Sequence, residues 1–335
     1  MNRRNKRLAR SCPTLQDALT RYLAEISIHK KGAAQESSIA RLWCSTLIAN
    51  RALNRITQAD IQRIRDEWLA TKAPATVTRR LALLSHLYTT AIKDWLMPEL
   101  QNPAALVRWP QPRDARDRRL YDRIQLRGVP ISECPPSELD WLIQSTRSKT
   151  LPTMMTLAVE TGMRRTEIAL IRREHVDLAR NVITVPETKN GETRYVPISP
   201  FAKHALRKYL VGRPLRGRIF TVSPESVTRA FIRTREQARQ RYEALCSHYG
   251  RRPHPDYFLE LRLHDLRHEA ASRLAPHFDM HQLAKILGHR DTRMTMRYYH
   301  PHGQDLAREL NRSALGRQQA AILRADRQRE AEQMT

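Results

Sequence analysis

Apolar residues recur at helical spacing over the first hundred positions. Leu15, Ala18, Leu19, Tyr22, Leu23 and Ile26 fall three or four apart, which puts them on one face of a helix. Thr14 with Asp17 supplies a capping-box-like start. The same spacing predicts a second helix over about 35–48. A third opens at Thr57, with Asp60 three residues on, and buries Ile61, Ile64 and Trp68. A fourth follows Pro74 and carries Val77, Leu81, Leu84, Leu87, Tyr88 and Ala91. Four helices with short connections make a small bundle, expected over 14–107. The outer face of the fourth would offer Arg79, Arg80 and His86, either to phosphates or to plain solvent.

The periodicity lapses over 108–134. That stretch, RWPQPRDARDRRLYDRIQLRGVPISEC, is rich in Pro and Arg and reads as a basic interdomain linker that could run along a DNA backbone. A second, mostly helical domain is expected over 135–312, where Ser137 can cap the helix SELDWLIQST. One β signal interrupts it: NVITVPETK and ETRYVPIS flank Asn190-Gly191, a favoured two-residue hairpin turn. Pro224 to Cys246 reads as a long charged helix. SHYGRRPHPDYFLELRL breaks the pattern before a helix that starts near His264. The tail, 313–335, resumes a helical pattern, and Leu306, Leu310, Leu315 and Ile322 recur across its approach and length. The class is mainly α: a four-helix bundle plus a mostly helical α+β domain with a small β-hairpin sheet.

Charge changes this picture. The 335 residues hold 59 Lys and Arg against 34 Asp and Glu, a formal net charge of +25 with pI near 10.8. Self-repulsion of that size destabilises a compact chain unless a polyanion matches it, and nucleic acid is the first candidate. Five of the first ten residues are Arg or Lys, so 1–13 is either a basic arm or a frayed, solvated terminus. No run of 18 apolar residues exists and no apolar signal core follows the basic start. A membrane span or secretion is therefore not expected. Cys12, Cys44, Cys134 and Cys246 show no CxxC spacing, which suits a reducing cytoplasm and indicates neither a disulfide framework nor a zinc site.

Four segments hold residue types suited to phosphate chemistry. In TGMRRTEI, Arg164 and Glu167 stand three apart, so a carboxylate could hold a guanidinium fork against a phosphodiester. A surface ion pair explains the spacing as well. Lys189 precedes the hairpin turn, where a desolvated amine could donate a proton or simply aid solubility. In HDLRHEAASR, His264, Arg267 and His268 line one helical face. Zinc is the rival use of such a His pair, yet Glu269 points elsewhere and no further ligand sits at the right spacing. In LGHRDTRMTMRYYH, Gly288 ends a helix, His289 follows, and Tyr298 comes nine residues later. Cationic neighbours would lower the phenol pKa and make Tyr298 a nucleophile, although a core aromatic is the commoner use and Tyr299 offers the same chemistry.

Each segment alone is weak, but their order is not. Arg in TGxRxxE, Lys beside a hairpin turn, HxLRH, then GH and a Tyr nine residues on resembles the tyrosine recombinase (phage integrase) family. LALLSHLY, PETKNG and HDLRHEAASR further resemble the shufflon-specific recombinases. The resemblance implies a core-binding bundle and a catalytic domain that cut and rejoin double-stranded DNA through a 3′-phosphotyrosyl bond, with no metal and no cofactor. It implies that Arg164 and Arg267 hold the nonbridging oxygens of the scissile phosphate and that Glu167 orients Arg164. Lys189 would be the general acid, His264 would assist proton transfer, His289 would hydrogen-bond the phosphate, and Tyr298 would attack. Tyr298 is preferred because Thr295, Tyr298 and His300 fit the family's TxxYxH run. Implied partners are a second duplex site in a tetramer of this chain and, as a candidate, an accessory DNA-bending protein. The other readings are a non-catalytic architectural DNA-binding protein and a topoisomerase using the same chemistry.

Overall fold

The computed structural model describes residues 12–112, 116, 118–124, 126–186, 193–299 and 303–333. The arm at 1–11, Lys189 with the Asn190-Gly191 turn, and His300 lie outside the described residues. The chain divides into two compact units at Ala115/Arg116.

The first unit is the expected helical bundle: α1 (Leu15–Glu25), α2 (Ala33–Cys44), α3 (Gln58–Leu69) and α4 (Pro74–Lys93), followed by the short α5 (Pro103–Leu106). Local sequence fixes the helix starts. The Thr14 hydroxyl accepts from the Asp17 amide, and Thr57 and Asp60 form a reciprocal capping box, each satisfying amides that a helix leaves unpaired. Helix α2 stops at Cys44, short of the expected Ile48. The core gathers Tyr22, Trp43, Leu84, Leu87 and Tyr88. Two aromatic side chains there also find polar partners: Trp43 Nε1 donates to the Arg80 carbonyl and the Tyr88 hydroxyl to the Leu53 carbonyl, both at 3.0 Å. Arg80 is not outward-facing as expected. It is buried, with its guanidinium 4.5 Å from the Trp68 ring centroid, where a flat cation on an aromatic face is favourable. Arg79 remains exposed.

The second unit contains α6 (Glu138–Ser145), α7 (Leu151–Thr161), α8 (Arg165–Leu170), α9 (Pro200–Leu210), α10 (Pro224–His248), α11 (Asp265–Leu274), α12 (Met280–Leu287), α13 (Arg293–Met296), α14 (Gly303–Arg312) and α15 (Ala314–Gln333). Its sheet has three antiparallel strands in order β1 (Val176–Asp177), β2 (Val182–Val185), β3 (Arg194–Pro197), with Val182 opposite Pro197 and Val185 opposite Arg194. Strand β1 was not expected, since two residues carry no period. Ile183, Val185 and Val196 turn into a core that also holds Leu157, Ile168, Phe231, Tyr242 and Leu266.

From Arg116 onward, the stretch read as a linker belongs to this second unit. Arg118 pairs with the fully buried Glu138 at 2.6 Å, Arg119 with Glu269 at 2.7 Å and Arg116 with Asp265 at 2.9 Å. Leu126 and Cys134 join the core. These arginines clamp carboxylates of α6 and α11 instead of presenting free charge. Among the described residues, no helix is long and apolar enough to cross a membrane.

Candidate active site

Two helix ends and one helix start converge in the second unit. Helix α7 ends at Gly162 and α12 at Gly288, both left-handed with φ of 62° and 66°. Only glycine takes that conformation without cost. A side chain at Gly162 would also collide with Leu287. This close approach sets the carbonyls of Gly162 and Leu287 around one guanidinium. Arg267 Nη1 donates to the Gly162 carbonyl, and Nη2 donates to the Leu287 carbonyl at 2.6 Å. The negative ends of two helices therefore surround a buried cation. Burial and the neighbouring Arg164 push the Arg267 pKa down to about 9, which leaves it protonated at neutral pH.

Arg267 Nη2 also meets His289 Nε2 at 3.0 Å, and His289 Nδ1 meets the Thr295 hydroxyl at 2.9 Å. A guanidinium cannot accept, so Nε2 must be the acceptor and the proton sits on Nδ1. Burial, then Arg267, Arg164 and Arg194, hold His289 at about 4, so the ring is neutral.

Arg164 is the residue just before α8, not inside it. Its Nη1 donates to Glu167 Oε1 and its Nη2 to the Gly288 carbonyl, both at 2.9 Å. Neighbouring Arg165 turns away to Thr228. Glu167 is gripped from a second side by Arg194 of β3, whose Nη1 and Nη2 reach its two oxygens at 2.9 and 2.6 Å while Nε donates to the Ile286 carbonyl. Burial alone would raise the Glu167 carboxyl, but Arg194 and then Arg164 outweigh it and hold it at about 2. Arg194 is a site residue that the sequence reading missed. Its partners lie 27 and 92 positions away, and its only local signal was a charge at an inward-facing strand position.

His264 immediately precedes α11 and lines an open pocket of about 500 Å³ together with Arg164, Arg165, Arg235 and Arg262. Desolvation, then the charges of Arg267, Arg164 and Arg165, lower its pKa. One turn on, His268 Nδ1 lies 2.6 Å from the Tyr298 hydroxyl. The Tyr299 hydroxyl donates to the Phe278 carbonyl at 2.6 Å. Tyr298 corrects one expectation. Its pKa is raised, because burial outweighs the lowering by Arg297 and Arg267. Arg164, Glu167, His264, Arg267, His289 and Tyr298 thus share one region of the unit, tied by Gly162, Leu287, Gly288 and His268. Lys189 falls outside the described residues. Among those described, no three His, Cys, Asp or Glu side chains gather as a metal site.

The phage integrase family model matches residues 136–304, half of the chain and all of this constellation. The chain belongs to that family. A shufflon-specific DNA recombinase of Escherichia coli is 34% identical to this family member over 310 residues, covering 89% of this chain and 72% of the relative. The fold matches a Tn1549 transposon integrase solved with circular intermediate DNA, with a TM-score of 0.69 at 15% identity, over 90% of this chain and 100% of that one. It also matches a lambda integrase tetramer bound to a Holliday junction, with a TM-score of 0.62 at 19% identity, over 90% and 82%.

Proposed function

We propose that this integrase-family member is a site-specific DNA recombinase that cuts and rejoins duplex DNA through Tyr298. The observation that carries the reading is the convergence of one tyrosyl hydroxyl with fixed cations. Arg164 and Arg267 are locked by Glu167 and by helix-end carbonyls before any substrate arrives. Phosphoryl transfer asks for little beyond such positioning and electrostatic stabilisation. In this reading the two guanidiniums bind the nonbridging oxygens, and His289 turns its hydrogen bonding to the phosphate. Tyr298 Oη forms a bond to phosphorus as the bond to the 5′ oxygen breaks. Lys189 donates the proton to that oxygen, and His264 assists proton transfer. The phosphotyrosyl bond keeps the energy of the phosphodiester, so rejoining needs no nucleotide.

Duplex DNA as the partner is supported by the charge of +25 and by structural neighbours solved on DNA. Assembly as a tetramer, an accessory DNA-bending protein and a cytoplasmic location complete the proposal. Leu306, Leu310, Leu315 and Ile322 stay exposed on α14 and α15, which suits self-association through the tail.

A duplex nicked near the cleavage point tests the nucleophile, because loss of the short fragment traps the covalent intermediate. Tyr298→Phe is expected to abolish trapping and Tyr299→Phe to retain it. The reverse result moves the nucleophile to Tyr299.

A further inference from the structure

We propose that His268 is the proton acceptor for Tyr298, its Nδ1 taking the phenol proton as the oxygen attacks phosphorus. The proposal rests on the reading of Tyr298 as the nucleophile. Its basis is geometric: among the described residues, the side chain at hydrogen-bond distance from the Tyr298 hydroxyl is His268, at 2.6 Å. His268 follows Arg267 on α11, and the bonds of Arg267 to Gly162 and Leu287 fix that helix in place. The acceptor is therefore held by the same framework that holds the phosphate-binding cation.

Burial and the charges around the ring keep it unprotonated before substrate binds. From its own helix and the residue just before it, Asp265, Arg267 and His264 act on its charge. From the segment after α12 it faces Arg297 and Tyr298, and His289 lies near enough to sense its charge. Burial first, then His264 and Arg297, hold His268 at about 4. It is neutral near pH 7, and in the tautomer the proposal assigns, the proton sits on Nε2 and the Nδ1 lone pair accepts from the phenol. The phenol keeps its proton because burial outweighs its cationic neighbours. Such a nucleophile needs a base during attack. The ring of His264 stands 5.0 Å from that of His268, edge to face, behind the group that touches the phenol.

The step balances. The Tyr298 O–H bond breaks, its proton moves to Nδ1 and the imidazole becomes imidazolium. The Oη–P bond forms, the bond from phosphorus to the 5′ oxygen breaks, and Lys189 protonates that oxygen. The bound phosphodiester's negative charge favours the imidazolium. On rejoining, the 5′ hydroxyl attacks phosphorus, the Oη–P bond breaks, and His268 returns its proton to the tyrosine.

The test compares trapping rates on the nicked duplex between about pH 6 and 9 for the full chain, His268→Asn and His268→Ala, with gel-shift affinity reporting that each variant is folded. Asn keeps a polar atom near the Nδ1 position but cannot take up the proton. General-base removal predicts a loss of about 100-fold or more near neutral pH. The deficit shrinks as pH rises and phenolate forms unaided. A fluorinated tyrosine of lower pKa at position 298 restores trapping in His268→Asn. Unchanged rates in His268→Asn overturn the proposal. So does a deficit that is equal at every pH and is not restored by fluorotyrosine, since that marks a purely structural role. Should Tyr298→Phe still trap DNA, the nucleophile reading itself fails, and this control separates the two failures.

Discussion

At Glu167, burial and pairing act on one carboxyl in opposite directions, and pairing wins. Its folded pKa of about 2 lies below the ordinary value of 4.5. A depressed carboxyl contributes stability that is present above the unfolded pKa and is lost as pH falls through the folded one. The window is therefore from about pH 4.5 down to about 2, and the size is about 3 kcal/mol at 1.36 kcal/mol per pKa unit. Glu167→Gln is expected to lower stability to urea by about that amount at pH 7, with a gap that narrows as the pH drops through this window. A gap that stays constant with pH would show that shape, not charge, is what the variant loses. Residue types at this scale were legible in the sequence where motif spacing is local: Arg164 with Glu167, and His264 with Arg267. Arg194 was not, because β3 meets α8 only in three dimensions. The pKa of Tyr298 was misjudged for a related reason. Arg297 is visible beside it in the sequence, while the burial that outweighs it is not.

At the scale of elements, capping residues and period announced several helices, since Thr14, Thr57 and Ser137 each accept from an amide at the helix start. The segment from Arg116 was read as a linker because Pro and Arg look the same whether an arginine faces water or a buried carboxylate. Its partners, Glu269 and Asp265, lie about 150 positions on. Glu138 shows what this strap holds. It is fully buried and accepts from the Tyr121 and Phe258 amides as well as from Arg118. Burial raises its pKa despite these partners. Removing one partner of such a pair leaves a charge without compensation and costs about 3 kcal/mol or more. Arg118→Met is therefore expected to lower the unfolding free energy by about 3 kcal/mol, read from denaturant titration. A loss below about 1 kcal/mol, the range of an exposed pair, would mean that the strap is not what holds Glu138.

At the scale of the whole molecule, composition and fold answer different questions. The charge of +25 points to a polyanion but not to a reaction. The fold is shared with integrases at identities of 15 to 19%, where likeness reaches architecture and not target. What separates a recombinase from an architectural protein or a relaxing enzyme is exchange between two sites. The most direct measurement places two copies of the DNA captured by the protein on one supercoiled plasmid and follows the joints by sequencing. The account predicts new joints between the two copies with the full chain and none with Tyr298→Phe. Plasmid that is only relaxed, or bound and left unrearranged, would contradict it.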